Sequence, residues 1–432
     1  MPSDVVITGL GPVTGFGVGI EPLWEGMVEG RSAIGRIARF DPSGFQCQAA
    51  AEVPADFAIR DWVPKSYRKS TKVMCRDVEL AVAAAAAAVA DAGLTTKGTD
   101  PDAAPSIDPD RFGCQIGSGL IAADLDELTL ALASSRDESG DRVDLAQWGR
   151  TGMQNLTPLW LLKYLPNMLA CHVTIVHDCR GPSNTITCTE ASAHLSLAES
   201  LRVIERGGAD ACLTGGAESK LNPMAFERQQ MSGRLRTTVA GDAADAMSVR
   251  PFDPAADGTI LGEGGGILVV ERADVAAARG ARPYCRLTAV SATQSHWTDA
   301  RGLGAPEEDR SIDDAIELAL QRSGLTPADV DALVPLGSGV PGMDRAEAAA
   351  IRRVFGARAA SLPLVTTIPN VGSCAAGTGA VALAVGARMI REQMLPARLY
   401  SAGLEGLDAA AAPARPATLG TVLVLSTSQG GQ

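Results

Sequence analysis

The chain has 432 residues, 46% of them hydrophobic, enough to bury a large core and better suited to two fused subdomains than to one small fold. A formal charge of −12 leaves no basic excess to neutralise phosphates, which argues against nucleic acid as a partner. Nine cysteines without paired C-x-x-C spacing and only four histidines describe neither a disulfide framework nor a zinc site, so no metal or cofactor is expected.

The start, Met1-Pro2-Ser3-Asp4, has no basic segment ahead of an apolar one and enters a strand at once, which argues against a signal peptide. Over residues 5–19 a short β-branched strand is followed by glycines that allow close turns. Residues 75–92 read as an alanine helix stopped by Gly93. Its most apolar part, residues 80–90, is too short and alanine-rich to span a bilayer, so it reads as a buried helix and the protein as cytoplasmic, with no membrane partner.

Asp108-Pro109-Asp110-Arg111-Phe112-Gly113 then leads through a strand to Gly117-Ser118-Gly119. Helical excursions occupy residues 121–170, residues 170–178 read as strand-like, and residues 183–187 form a strand ahead of a helix that follows Glu190. Gly262-Glu263-Gly264-Gly265-Gly266 and Ile267-Leu268-Val269-Val270 close a first half placed at residues 1–265. In the second half, residues 266–432, the earlier order returns: a helix over 312–322, a stop at Gly324, Pro327-Ala328-Asp329-Val330-Asp331, and a strand running to Gly337-Ser338-Gly339. The repeat predicts a duplicated α/β unit whose apolar strands are covered on both faces by helices.

A set of landmarks lies in fixed order: Phe40-Asp41, Arg180-Gly181-Pro182-Ser183, Thr189-Glu190-Ala191-Ser192, Gly215-Gly216-Ala217-Glu218, Arg250-Pro251-Phe252-Asp253 and Asp344-Arg345-Ala346-Glu347. Together, over almost the whole chain, they resemble the β-ketoacyl-ACP synthase family of the thiolase superfamily. The resemblance implies a five-layered αβαβα fold made of two similar halves, with the excursions of the first half building much of a dimer interface and an acyl tunnel.

The same alignment empties the active site. Members of the family carry a nucleophilic cysteine on an elbow at a helix N-terminus, because a thiolate both attacks a thioester and leaves again. Here that position is Glu190, and Cys188 lies two residues too early to replace it. A carboxylate gains roughly 0.3–1 kcal/mol from the same helix terminus but is a poor acyl acceptor. The family's two histidines and lysine correspond to Leu336, Ser373 and Ile368; leucine and isoleucine donate no hydrogen bond and carry no charge. The tunnel-gating phenylalanine, whose amide serves the oxyanion hole, corresponds to Gln429, after which the resemblance implies one more strand. No catalytic residue is therefore assigned.

Other polar groups have bland readings beside functional ones. His172 and His177 read as structural hydrogen-bonding residues, and His296 as either an entrance or a surface residue. His194, four residues after Glu190 on one helix, either faces it as an acid/base pair or packs. Cys188 and Cys212 read as small buried hydrophobes, while Cys374, beside Ser373, is the thiol to test for reactivity. In the helical stretch 156–169, Trp160, Leu161, Tyr164 and Met168 are candidates for a tunnel wall or dimer seam, or for ordinary core.

Met231-Ser232-Gly233-Arg234-Leu235 and Val340-Pro341-Gly342-Met343 resemble one branch in particular, the chain length factor or ketosynthase beta subunit of type II polyketide synthases. That branch implies an inactive scaffold paired with an active ketosynthase and served by an acyl carrier protein. It usually has glutamine where this chain has Glu190. A malonyl-ACP decarboxylase or other acyl-thioester enzyme is a second reading, though such enzymes keep the histidines that Leu336 and Ser373 replace. A homodimer that binds acyl chains or carrier protein is the third.

Overall fold

The computed structural model describes residues 4–238, 247–295, 309–428 and 430–432. Strand β1 (Val5–Thr14) is buried along its whole length because the alanine helix α1 (Arg76–Asp91) lies directly on it. Glycine permits the close approach: a Cβ on Gly9 would stand 2.3 Å from the Ala88 carbonyl oxygen, and one on Gly11 2.0 Å from that of Ala84. The alanine run is thus a flat packing surface for a glycine-bearing strand. Among the described residues, no helix is long and apolar enough to cross a membrane.

Strand β1 belongs to a mixed sheet with β2 (Phe112–Gly117), β3 (Ser183–Ile186), β4 (Ala211–Glu218), β5 (Gly264–Arg272) and β6 (Cys285–Leu287). The spatial order is β6-β1-β5-β4-β2-β3. Strands β3, β2 and β4 run parallel, while β5 is antiparallel to both of its neighbours, β4 and β1. Alternation divides the side chains of β5 between two cores: Ile267 and Val269 pack with α1 and with α2 (Met168–His177), Leu268 and Val270 with α3 (Ser192–Glu205) and α6 (Thr378–Glu392).

The second half repeats this plan. Strand β7 (Ala332–Val334) is parallel to β8 (Val422–Val424), and Leu333 also bridges Leu364 in parallel. Ala332, Val334, Val422 and Val424 face the layer of α3 and α6, whereas Leu333 and Leu423 face α4 (Ser311–Ser323) and α5 (Pro341–Phe355). The result is the expected five-layered αβαβα arrangement, with α3 and α6 between the two sheets.

Local conformation repeats too. Gly93 after α1 and Gly324 after α4 sit at φ 64° and 71°, where glycine alone is unstrained. The two central helices each follow a 3-10 turn, Thr189–Ala191 before α3 and Ala375–Gly377 before α6. Both turns open on a non-glycine residue at positive φ, 44° at Thr189 and 46° at Ala375.

Strand β5 pairs with β1 as far as Arg272 opposite Val5. Two sequence expectations shift. Residues 170–178 are not strand-like but lie in α2 and its C-cap, because Leu169, Ala170, Val173, Val176 and His177 form one buried helical face that outweighs β-branched propensity. The stretch 156–169 is not one helix: a 3-10 turn, Trp160–Tyr164, ends before Pro166, which lacks an N–H donor, and α2 begins only at Met168.

Candidate active site

The chain leaves β3 and reaches α3 through a strained elbow. Thr189, β-branched yet at φ 44°, is the kind of backbone outlier that persists only where its surroundings hold it. Ser192 supplies the clamp: its Oγ accepts the Cys188 N–H at 2.8 Å and donates to the Thr189 carbonyl at 2.7 Å. Glu190 lies inside this turn and is buried. The position expected for the nucleophile is therefore built, with Glu190 in it.

Glu190 is only 3% exposed, and Arg234 Nη2 approaches its Oε1 at 2.7 Å from an equally buried position. Burial by itself pushes a carboxyl pKa up; the guanidinium reverses that and holds Glu190 below its usual range. Glu190 is thus a carboxylate in a charge-assisted pair. The same Arg234 nitrogen stands 3.5 Å from Met343 Sδ, so the pair abuts an apolar cluster.

That cluster contains Leu336 and Ile368, two of the positions expected to be degenerate, packed together with Ala49, Val249, Ile260 and Met343. Ser373 borders it, donating its N–H to the Ile260 carbonyl at 2.8 Å and accepting the Gly262 N–H at 2.9 Å. The loop carrying residue 336 keeps its support. Glu347 accepts the N–H groups of Leu336 and Gly337 at 2.9 and 3.0 Å, and Asp344 accepts those of Ser338 and Phe252 at 2.9 and 3.0 Å. Backbone hydrogen bonds hold Leu336 and Ser373 in place, and the side chains of Leu336 and Ile368 are apolar. Gln429 and His296 lie outside the described residues.

His194 does not pair with Glu190. Gly379 of α6 makes room for its ring, since a Cβ there would stand 2.4 Å from His194 Nδ1. Burial pushes its pKa down to about 4, so the ring is neutral, and neither ring nitrogen has a hydrogen bond among the described residues. His172 and His177 instead serve local contacts: His172 Nδ1 is 2.8 Å from Tyr67 Oη, and His177 Nδ1 is 2.9 Å from Thr96 Oγ1.

Trp160 and Met168 pack on the core under α1. Tyr164 is buried and donates to Glu127 Oε2 at 2.7 Å, while Leu161 is 59% exposed. Leu130, Leu145, Met153 and Leu159 of the same excursion are also exposed.

Cys374 is fully buried and its thiol is pushed up to about 12 by burial, which makes it inert in the folded chain. Iodoacetamide should therefore label partly exposed Cys171 well before Cys374; peptide mapping that finds Cys374 labelled first would contradict this burial.

Two groups escaped sequence reasoning. Arg234 was visible in its motif, but its partner lies 44 positions away and only the fold joins them. The 3-10 helix Lys65–Val73 carries Lys65, Arg68, Lys69 and Lys72, all exposed and none in an ion pair among the described residues. The net negative charge masked this basic stripe.

A strained elbow at the centre of duplicated α/β halves defines the condensing-enzyme class of fold. Residues 2–276 match the β-ketoacyl synthase N-terminal domain and residues 285–401 the C-terminal domain, and the chain belongs to the β-ketoacyl synthase family. It is 32% identical to the tetracenomycin polyketide synthase ketoacyl synthase beta subunit of Streptomyces glaucescens, over 100% of this chain and 97% of that relative. It is 29% identical to 3-oxoacyl-[acyl-carrier-protein] synthase 2 of Staphylococcus aureus (strain N315), over 92% of this chain and 88% of the relative. Among solved structures it resembles the ishigamide ketosynthase/chain length factor, at 27% identity and a TM-score of 0.81, covering 100% of this chain and 97% of that one.

Proposed function

We propose that this chain is a ketosynthase-like subunit without condensing activity of its own, which pairs with an active ketosynthase as a chain length factor in type II polyketide or fatty acid biosynthesis. One observation carries the reading: the strained elbow before α3 holds Glu190 in a buried pair with Arg234, beside an apolar cluster containing Leu336 and Ile368. Nothing in that cluster can stabilise an enolate, which also weighs against the decarboxylase alternative. The likeness to a ketoacyl synthase beta subunit supports the same conclusion.

A partner surface is supported by the exposed leucines of the excursion and by β3, a sheet-edge strand whose Ser183 and Asn184 are exposed. Obligate interfaces of this kind bury on the order of 2,000–5,000 Å². Co-expression with its matching active ketosynthase should give a stable 1:1 complex. In that complex, Trp160→Ala with Met168→Ala should change product chain length, read by mass spectrometry. The isolated chain should form no acyl adduct with acyl-carrier protein and release no carbon dioxide from malonyl-carrier protein. A stable homodimer that refuses every ketosynthase would overturn the pairing and favour an acyl- or carrier-binding role.

The basic stripe of Lys65, Arg68, Lys69 and Lys72 is the docking site this reading assigns to the acidic carrier protein. Lys65→Glu with Arg68→Glu should weaken carrier binding roughly tenfold at low salt, with the difference shrinking as ionic strength rises. Equal affinity of variant and parent in a salt titration would move the docking site elsewhere.

A further inference from the structure

We propose that Lys220 is a positioning residue for the partner surface: together with Asn222 it grips the strap of residues 118–124 and so fixes the exposed leucines that the strap carries and leads into. The partner role rests on the pairing with a ketosynthase; the grip rests on geometry alone.

The strap leaves β2 and enters the helix Leu125–Ala133. Its Leu120 is exposed, as are Leu125 and Leu130 of that helix, while Ile121 turns into the core under α1. The Ser118 N–H still donates to the Ile186 carbonyl at 3.0 Å, but residues 119–123 make no backbone–backbone hydrogen bond among the described residues. Side chains therefore supply what a ladder supplies elsewhere. Lys220 Nζ donates to the Leu120 carbonyl at 3.0 Å, Asn222 Nδ2 to the Ala122 carbonyl at 3.2 Å, and the Asp124 N–H donates to Tyr164 Oη at 3.3 Å.

The gripping segment is itself fixed at both ends. The Ser219 N–H donates to Asp77 of α1 at 3.2 Å, and Ser219 Oγ to Glu263 at 3.0 Å. Asn222 caps the helix Pro223–Met231, its Oδ1 accepting the Ala225 N–H at 2.8 Å. Lys220 also pairs with Glu218, the last residue of β4. Glu218 is buried, and its Oε2 accepts the Ala376 N–H at 2.9 Å from the 3-10 turn before α6. Glycine brings the strap onto this carboxylate, since a Cβ on Gly119 would stand 1.7 Å from Glu218 Oε1. A contiguous polar chain thus runs from the turn that opens α6, through Glu218 and Lys220, to the Leu120 carbonyl.

Lysine suits this position because its compact ammonium has three donors and can serve the carboxylate and the carbonyl at once. An unseated strap has to be ordered when a partner binds, and apparent affinity then falls with the fraction of chains in which it is already seated.

Native-state digestion of the full chain with thermolysin, with cuts mapped by mass spectrometry, reads the unseated population. Lys220→Met should raise cleavage between Gly119 and Leu125 by about a hundredfold, without new cuts in α1 or β5. Lys220→Arg, which keeps the charge and the donors, should restore resistance. In the complex with the matching active ketosynthase, Lys220→Met should weaken binding about tenfold and Lys220→Arg should bind as the parent does. Should Lys220→Met misfold because Glu218 is left charged in a buried site, Glu218→Gln with Lys220→Met removes that charge and still lacks the grip, so it should be cut and bound in the same way. Unchanged cleavage in both Lys220→Met chains, equal cleavage in Lys220→Arg, or cuts spread over the whole molecule would overturn the grip and leave the pairing with a ketosynthase standing. Raised cleavage with unchanged ketosynthase affinity would overturn the positioning role. A parent chain that binds no ketosynthase would overturn the pairing, and the positioning role with it, whatever the cleavage shows.

Discussion

Arg234→Ala should destabilise the chain by about 3–5 kcal/mol, because it removes the charge-assisted guanidinium partner of the Glu190 carboxylate in a site only 3% exposed. A surface pair would not behave this way; its loss costs about 0–1 kcal/mol. The double replacement Glu190→Gln with Arg234→Met should recover most of the loss, since an uncharged pair of similar volume needs no compensation for desolvation. Urea unfolding of the four proteins in a double-mutant cycle measures the coupling. The pH dependence has a fixed sign. Glu190 titrates below its ordinary value of 4.5 in the folded chain, so the folded state holds fewer protons there than the unfolded one. The pair's contribution is complete above about pH 5 and falls away as pH drops through the folded pKa. The Glu190→Gln, Arg234→Met chain should lack this acid-side slope. A single Arg234→Ala cost below about 1 kcal/mol would mean that the pair is solvated in solution.

Glu190→Cys should restore a reactive thiol without restoring condensation. A cysteine there would sit at the start of α3 beside the Arg234 guanidinium, and both lower a thiol pKa. Iodoacetamide should therefore modify it faster than Cys374, and acyl-carrier protein should acylate it. Extension with malonyl-carrier protein should still fail, because the resemblance places the two histidines and the lysine that assist decarboxylation where Leu336, Ser373 and Ile368 stand, and such groups contribute about 10²–10⁴-fold in rate. Adding Leu336→His, Ile368→Lys and Ser373→His should be required before any condensed product appears. Condensed product from Glu190→Cys alone would show that the apolar cluster does not silence the site.

The sequence by itself determined the architecture. Helix, glycine stop, turn and strand recur in the same order around Gly93 and Gly324 because each half must cover an apolar strand with helices, and that requirement is written in local periodicity and glycine placement. It also carries the expectation, through the resemblance of its motifs, that Glu190, Leu336, Ile368 and Ser373 stand where the family has its catalytic groups. Local pattern was a weaker guide where competing propensities balance: β-branched residues around His172 suggested a strand, and packing against α1 made them helix.

What only the tertiary structure decided is how those positions interact. Arg234 and Glu190 meet because the elbow and a loop from a different part of the chain are folded onto one another. Leu336 and Ile368 share one apolar cluster across the second half, and His194 is turned away from Glu190 by the gap that Gly379 leaves in α6. Pairing across long separations depends on the angles at which layers pack, and single-residue spacing carries no information about those angles.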